Sequence, residues 1–233
     1  MLEDAWNGTG QFEGTEPIRG FGAVAGVYEE ACQIVVRADS EISTVEELEG
    51  HRVSVGEEES GTKQNALQIL AAYGLNEKLV EEVSLNYTEA AKELENGSID
   101  AFFCTAGAQT AAITNLAQRT GIRFLNVDNA AAARLKKSYP VYDSCIIAAG
   151  TYPGQEEDVS TVGVKAVLLA SDSVSAEVVE ELTALLFEEQ QELDFALPVE
   201  LITDADAAVA GISVPFHKGA ERYYESRGEK SEN

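Results

Sequence analysis

Residues 53–70, VSVGEEESGTKQNALQIL, hold the pattern that decides the fold. Gly56 and Gly61 frame four residues, as in a P-loop, but Thr62 then precedes Lys63. A P-loop needs the reverse order, with lysine reaching the outer phosphates and the hydroxyl after it reaching magnesium. Glu57, Glu58 and Glu59 also fill the turn where a polyphosphate would approach backbone N–H groups. Nucleoside triphosphate binding is therefore not expected. What remains is a strand over 51–55 that turns through small residues into a helix. Its apolar positions Ala66, Ile69, Leu70 and Tyr73 recur at helical spacing, and Gly74 closes it. Such a turn aims free N–H groups and the positive end of a helix dipole at one spot, beside the hydroxyls of Ser60 and Thr62. That spot suits a small anion such as a carboxylate. A cap role for Ser60 or Thr62 alone explains the local sequence equally well.

Outward from this stretch, strand and helix alternate. Residues 22–37 read as one or two strands, and 43–50 as a short helix with a capping box from Ser43 to Glu46. After Gly74 come a helical piece near 76–83, a strand over 83–87 and a helix capped by Thr88. A strand over 98–105, a helix over 108–121, a strand over 123–127 and a helix over 129–138 follow. The alternation predicts an α/β layer with a mostly parallel sheet. From 139 to 171 two β-rich pieces replace helical spacing. Helix returns over 175–193, with Val178, Leu182, Leu185 and Leu186 on one face, then more weakly over 204–211, and a final short helix begins after 215. Ligands of open α/β sheets bind at the carboxyl ends of strands. The loops after 55 and after 105 are the candidates; they carry Ser60, Gly61 and Thr62 in one and Thr105, Gly107 and Gln109 in the other. By periodicity alone both could be plain turns, with Gly107 present for its backbone freedom.

Composition limits the partners. With 41 acidic and 16 basic residues in 233 the formal charge is −25, which repels nucleic acid and anionic membranes. A hydrophobic share of 45% is that of a globular chain, and no apolar run approaches a membrane span. The opening residues lack the pattern of a signal peptide. Cys32, Cys104 and Cys145 are widely spaced in apolar stretches and read as buried free thiols, supporting neither zinc nor a disulfide framework.

Four stretches in register, VSVGEEESGTKQNALQIL, ELENGSIDAFFCTAG, GTYPGQEEDVSTVGVKAVL and PFHKGAERYYESRG, resemble the TAXI family of TRAP-associated extracytoplasmic solute-binding proteins, from about residue 21 to 228. The resemblance implies a two-lobed, periplasmic-binding-protein-like receptor of the type II, Venus-flytrap kind. Such a receptor stands in the periplasm or outside the cell, associated with the membrane. It captures a small carboxylate or an amino acid, glutamate-like, and hands it to the membrane subunits of a TRAP transporter. No chemistry, cofactor or metal is implied. Family members open with a secretion signal and a first set of strands and helices that this sequence lacks, so the first lobe is expected to be incomplete. They also usually carry a glycine where Glu59 stands. The implied organisation places the remainder of lobe I and the first hinge strand in 1–38, lobe II in 39–140, interlobe connections in 141–170, and helices packing back on lobe I in 171–233. The implied ligand contacts are Ser60, Gly61 and Thr62, Asn65 one turn on, Thr105, Gly107 and Gln109, with Tyr28 lining the cleft from the other lobe and Tyr152 near the connection. Tyr28 and Tyr152 could equally be core or rim aromatics, and Asn65 an exposed helix residue.

The rival class is an enzyme of the same fold with Cys104 as nucleophile and His51 or His217 as base. Nothing in the sequence brings either histidine toward Cys104. No arginine lies in the two loops; Arg37 or Arg52 could serve as the carboxylate clamp, but both read as easily as surface residues.

Overall fold

In the long strand β1, Phe21–Arg37, Ile34 and Val36 belong to one apolar cluster and Val35 to another. This period-two alternation means that both faces of the sheet are covered. The computed structural model describes residues 1–189 and 199–231. Their contacts divide the chain into two compact units, one of Glu30–Val164 and one of Met1–Glu29 with Lys165–Asn233. The divisions fall inside two strands, β1 and β7 (Val159–Ser171).

The Glu30–Val164 unit is an α/β/α sandwich. Its other strands are β2 (Arg52–Ser54), β3 (Glu81–Val83), β4 (Ala101–Ala106), β5 (Ile122–Phe124) and β6 (Tyr142–Ile147). Helix α2 (Gly61–Ala72) lays Ala66, Ile69 and Leu70 on one face with Ala131 and Leu135 of α5 (Asn129–Ser138), against Ile34, Val36, Val53 and Phe103. Helices α3 (Tyr87–Glu95) and α4 (Ala111–Arg119) lay Ala90, Leu94, Ile113 and Leu116 on the other face, against Val35, Phe102 and Cys104.

The strand order is β3-β2-β4-β1-β7-β6, with β5 also beside β1. β2 pairs in parallel with β3 and β4, whereas β1 with β4, β1 with β5 and β6 with β7 are antiparallel. The expectation of a mostly parallel sheet is thus corrected to a mixed one. Helical crossovers enforce parallel order only among β2, β3 and β4, and β1 runs against them. The carboxyl ends of β2, β3 and β4 consequently share one edge.

Several local expectations also change. The helix expected over 43–50 is only a 3-10 turn, Glu46–Leu48, and it is Glu47 rather than Glu46 whose carboxylate accepts from the Ser43 and Thr44 N–H groups. No helix forms over 76–83, where Glu81–Val83 pairs with β2 instead. The strand expected over 83–87 ends early, and α3 is capped by Asn86 rather than Thr88. Asn86 Oδ1 accepts from Glu89 N and Glu89 Oε2 accepts from Asn86 N, a full capping box.

In the Met1–Glu29 and Lys165–Asn233 unit, α1 (Leu2–Asn7) precedes β1, and α6 (Ala176–Glu188), α7 (Ala205–Val209) and α8 (Lys218–Ser231) follow β7. Of the four apolar residues expected on one face of α6 only Leu186 packs on the core. Val178, Leu182 and Leu185 are 56%, 39% and 53% exposed, whereas Val179 and Thr183 are buried. The cause is Gly219 of α8, which lies so close to α6 that an added Cβ would stand 2.3 Å from Ala176 O and 2.8 Å from Val179 Cβ. Phe187 stacks on Tyr223 at 5.8 Å along the same seam. The rest of the helix expected up to 193 lies outside the described residues.

Gly219→Ala is expected to destabilise the chain by about 1–3 kcal/mol, because the neighbours are backbone atoms that cannot swing aside; a denaturant midpoint measures it. Asp128, at the cap of α5, accepts from Ala130 N and Ala131 N, and these bonds together with the Tyr73 hydroxyl hold its carboxyl below the ordinary range. A lowered folded pKa gives stability that is present above the unfolded pKa and is lost as pH falls through the folded one. Asp128→Ala should therefore cost about 1 kcal/mol at neutral pH, and the gap to the wild type should narrow in acid below the ordinary aspartate range.

Candidate functional site

At the end of β2 the chain turns over Gly56, φ 100°, where an added Cβ would meet Thr62 at 2.9 Å and the Ser60 hydroxyl at 3.0 Å. Glycine here lets the start of α2 fold down onto the strand end. Ser60 is the N-cap, and its Oγ accepts from Lys63 N at 3.1 Å. The cap role, one of the two readings open from the sequence, is thus present. It takes one of the N–H groups that a helix start leaves free.

Thr62, 5% exposed, has its Oγ1 2.6 Å from the Tyr87 hydroxyl. The single phenolic proton of Tyr87 goes to Thr105 O at 2.9 Å, so Thr62 donates to Tyr87. Asn65 Nδ2 donates to Thr105 Oγ1 at 3.3 Å, and the buried Tyr142 hydroxyl shares its one proton between Gln68 Oε1 at 2.6 Å and Asn65 Oδ1 at 3.0 Å. Thr105 Oγ1 in turn donates to Cys32 Sγ at 3.6 Å. Asn65 is therefore a half-buried link in this chain and not an exposed helix residue.

A cavity of about 520 Å³ opens beside Thr62. It is lined by Glu57, Ser60 and Thr62 from the first loop and by Leu85, Asn86, Tyr87, Thr88 and Glu89 from the start of α3. Two helix N-termini, of α2 and α3, frame one space. Burial pushes the Tyr87 phenol up to about 12, so it is a neutral hydrogen-bonding group at pH 7.

The loop after β4 forms a second network. Gln33, 1% exposed, donates to Thr110 Oγ1 at 3.3 Å and accepts from Tyr152 at 2.5 Å; the Tyr152 hydroxyl accepts from Thr110 N at 3.1 Å, and Thr110 Oγ1 donates to Gly107 O at 2.9 Å. Tyr152 is itself 2% exposed and packs on Phe124. The left-handed residue of this loop is the exposed Gln109, φ 64°, not Gly107. Thr105 connects this loop to Thr62 through Tyr87, but neither it nor Asn65, Gly107, Gln109 or Tyr152 lines the cavity. Gly61 opens α2 directly behind the cap. Tyr28 belongs to the other unit, where it bridges to Leu201.

Sequence reasoning passed over Tyr87, Asn86, Gln33 and Tyr142. Asn86 was within reach, since Asn86 followed three residues on by Glu89 is a capping signature. The other three act through pairings up to 119 residues apart, which no local pattern carries.

Cys104 is fully buried, and burial raises its pKa to about 12, leaving essentially no thiolate at neutral pH. His51 pairs with Asp100 at 3.2 Å at the amino end of β2, while His217 lies in the other unit and accepts from Gly219 N. Cys32 is buried and Cys145 half-buried, and none of the three cysteines forms a disulfide. Among the described residues no group of three side chains is placed to hold a metal ion, and no helix is long and apolar enough to cross a membrane.

A family model, the NMT1-like family, matches residues 1–228. The chain belongs to the NMT1-like family. Solved structures similar to this NMT1-like chain include a TctC solute-binding protein from Polaromonas without ligand, at 16% identity and a TM-score of 0.48, covering 81% of this chain and 64% of that one. The periplasmic aliphatic sulphonate-binding protein SsuA from Escherichia coli is similar at 18% identity and 0.45, covering 76% and 50%. An ancestral arginine-binding protein bound to glutamine is similar at 16% and 0.40, covering 74% and 60%. The chain spans between half and about two thirds of the length of these structures.

Glu59 takes up φ 60° with its side chain exposed. A left-handed backbone costs an ordinary residue about 1–2 kcal/mol, partly offset in glycine by its greater entropy loss on folding. Glu59→Gly is expected to raise stability by about 0.5–1 kcal/mol, read from the denaturant midpoint.

Proposed function

We propose that this NMT1-like chain is the ligand-binding part of an extracytoplasmic solute receptor of the TAXI class, serving the membrane subunits of a TRAP-type transporter. It captures a small organic anion or amino acid, glutamate-like in size, and performs no chemistry. In this reading the two compact units are the two lobes of a Venus-flytrap receptor, with β1 and β7 as the strands that join them. The observation that carries the reading is the cavity framed by the N-termini of α2 and α3 and lined by Thr62 and Tyr87. Such a space offers N–H donors and positive helix ends to a carboxylate, the equipment for binding rather than turnover.

The enzyme alternative needs an activated thiol, and the buried, protonated Cys104 is the opposite of one. Replacing Cys104 by Ser should leave any measured affinity unchanged.

The test is thermal unfolding of the purified chain, alone and with a panel of amino acids and small carboxylates. A ligand that binds only the folded state raises Tm, by linkage worth about 2.7 kcal/mol at a hundred times Kd. The expected result is one ligand class that raises Tm and loses its effect in the Ser60→Ala, Thr62→Ala double variant. A transition that no member of the panel moves would overturn the reading.

A further inference from the structure

Helix α6 is turned against its own hydrophobic pattern. Toward the core it presents Val179 and Thr183, both buried, with Leu186 beside them, and the Thr183 hydroxyl is satisfied there by donating to Val179 O at 2.6 Å. Outward it presents Val178, Leu182 and Leu185. Spaced at i, i+4 and i+7, these three share one side of the helix and form a ridge about 10 Å long. The orientation is fixed from behind, where Gly219 admits the close approach of α8 and Phe187 stacks on Tyr223. Turning the ridge inward would break both contacts. A single exposed apolar residue is ordinary on a protein surface, whereas three in register on one side of a helix mark an interaction site.

The charges beside the ridge select its occupant. Helix α6 contains Glu177, Glu180, Glu181 and Glu188 and no lysine or arginine. Helical spacing sets Glu177, Glu181 and Glu188 in a row along one flank of the ridge, and Glu189 follows as the C-cap. The negative end of the helix dipole lies at that same end, close to Leu185. Among the described residues α6 is ion-paired only by Arg222 of α8, 3.4 Å from Glu177 and 4.0 Å from Glu180, so Glu181 and Glu188 are left without a counter-charge. A second copy of the chain would set glutamate against glutamate on molecules that each carry a formal charge of −25, and an anionic lipid surface is repelled for the same reason.

We propose that the outer face of α6 is a docking surface for a basic amphipathic segment of another protein, one that lays an apolar stripe along Val178, Leu182 and Leu185 and sets lysine or arginine against Glu181 and Glu188. The apolar ridge supplies the contact area and the glutamate row supplies register and choice of partner. A ridge of this length is small beside the interface of a permanent complex, so the contact is a transient one that forms and releases. It lies wholly in the unit of Met1–Glu29 and Lys165–Asn233, away from the cavity residues, and stands or falls independently of the ligand reading.

The experiment titrates the full chain with three synthetic peptides. The first is an amphipathic helix with leucines repeating every third or fourth position between lysines, the second is the same composition scrambled so that no stripe forms, and the third keeps the stripe but carries glutamate for lysine. The expected result is binding of the first peptide alone, weakened as salt shortens the reach of charge from about 10 Å at 0.1 M to about 3 Å at 1 M. The Leu182→Gln, Leu185→Gln variant, which leaves every charge in place, should bind it about tenfold more weakly or worse. The Glu181→Lys, Glu188→Lys variant should lose the lysine peptide and gain the glutamate one. Equal binding of the scrambled peptide, or unchanged binding in the glutamine variant, would reduce the effect to general attraction by an acidic chain and overturn the proposal. Self-association of the native chain in sedimentation, abolished in the glutamine variant, would give the ridge to a second copy and overturn it as well. So would ridge-dependent binding to phosphatidylcholine vesicles, which would make the occupant a lipid surface. Should the glutamine variant not fold, the exchange of peptide preference in the lysine variant decides.

Discussion

A threonine at the carboxyl end of β4 must find partners for a hydroxyl and a carbonyl in a place that water barely reaches. Thr105 is 8% exposed, and an unpaired buried polar group costs about 1–3 kcal/mol. The chain meets that demand with Tyr87 from α3, Asn65 from α2 and the thiol of Cys32 from β1. Each partner is held by something else in turn, Tyr87 by Thr62 and Asn65 by Tyr142. The two helices that frame the cavity are thus tied to one strand end. The apolar layers behind them sit on opposite faces of the sheet, and these hydrogen bonds join the two helices across the strand end.

Such a network also explains why the cavity lies where it does. Parallel neighbours put the loops after β2, β3 and β4 on one edge, and β2 is the central strand of the three. The loop after β2 therefore touches both others. Toward β4 the contact is filled by Asn65 and Thr105, and toward β3 it stays open between Thr62 and the start of α3. The closed side gives rigidity and the open side gives space.

The α/β class was legible because it depends on local signals: Ala66, Ile69 and Leu70 at helical spacing, Gly74 at a helix end, and alternating apolar runs. The first loop was legible for the same reason, down to Ser60 as a cap. Strand direction was not, because nothing within β1 records that it will meet β4 head to tail. Nor was the true contact face of α6, since the apolar residues Val178, Leu182 and Leu185 gave the stronger pattern and the decisive residue, Gly219, lies some forty positions away. Tyr87 was hidden in a stretch that read as strand, so the open side of the site had no representative in the sequence reading.

The thiols of Cys32 and Cys104 belong one to each apolar layer, on either side of the same sheet. Both are sealed from solvent and held in the protonated form by burial. Neither can be alkylated until its own layer parts. The molecule thus carries a separate clock for the loosening of each face, and a difference between the two labelling rates would tell which layer yields first.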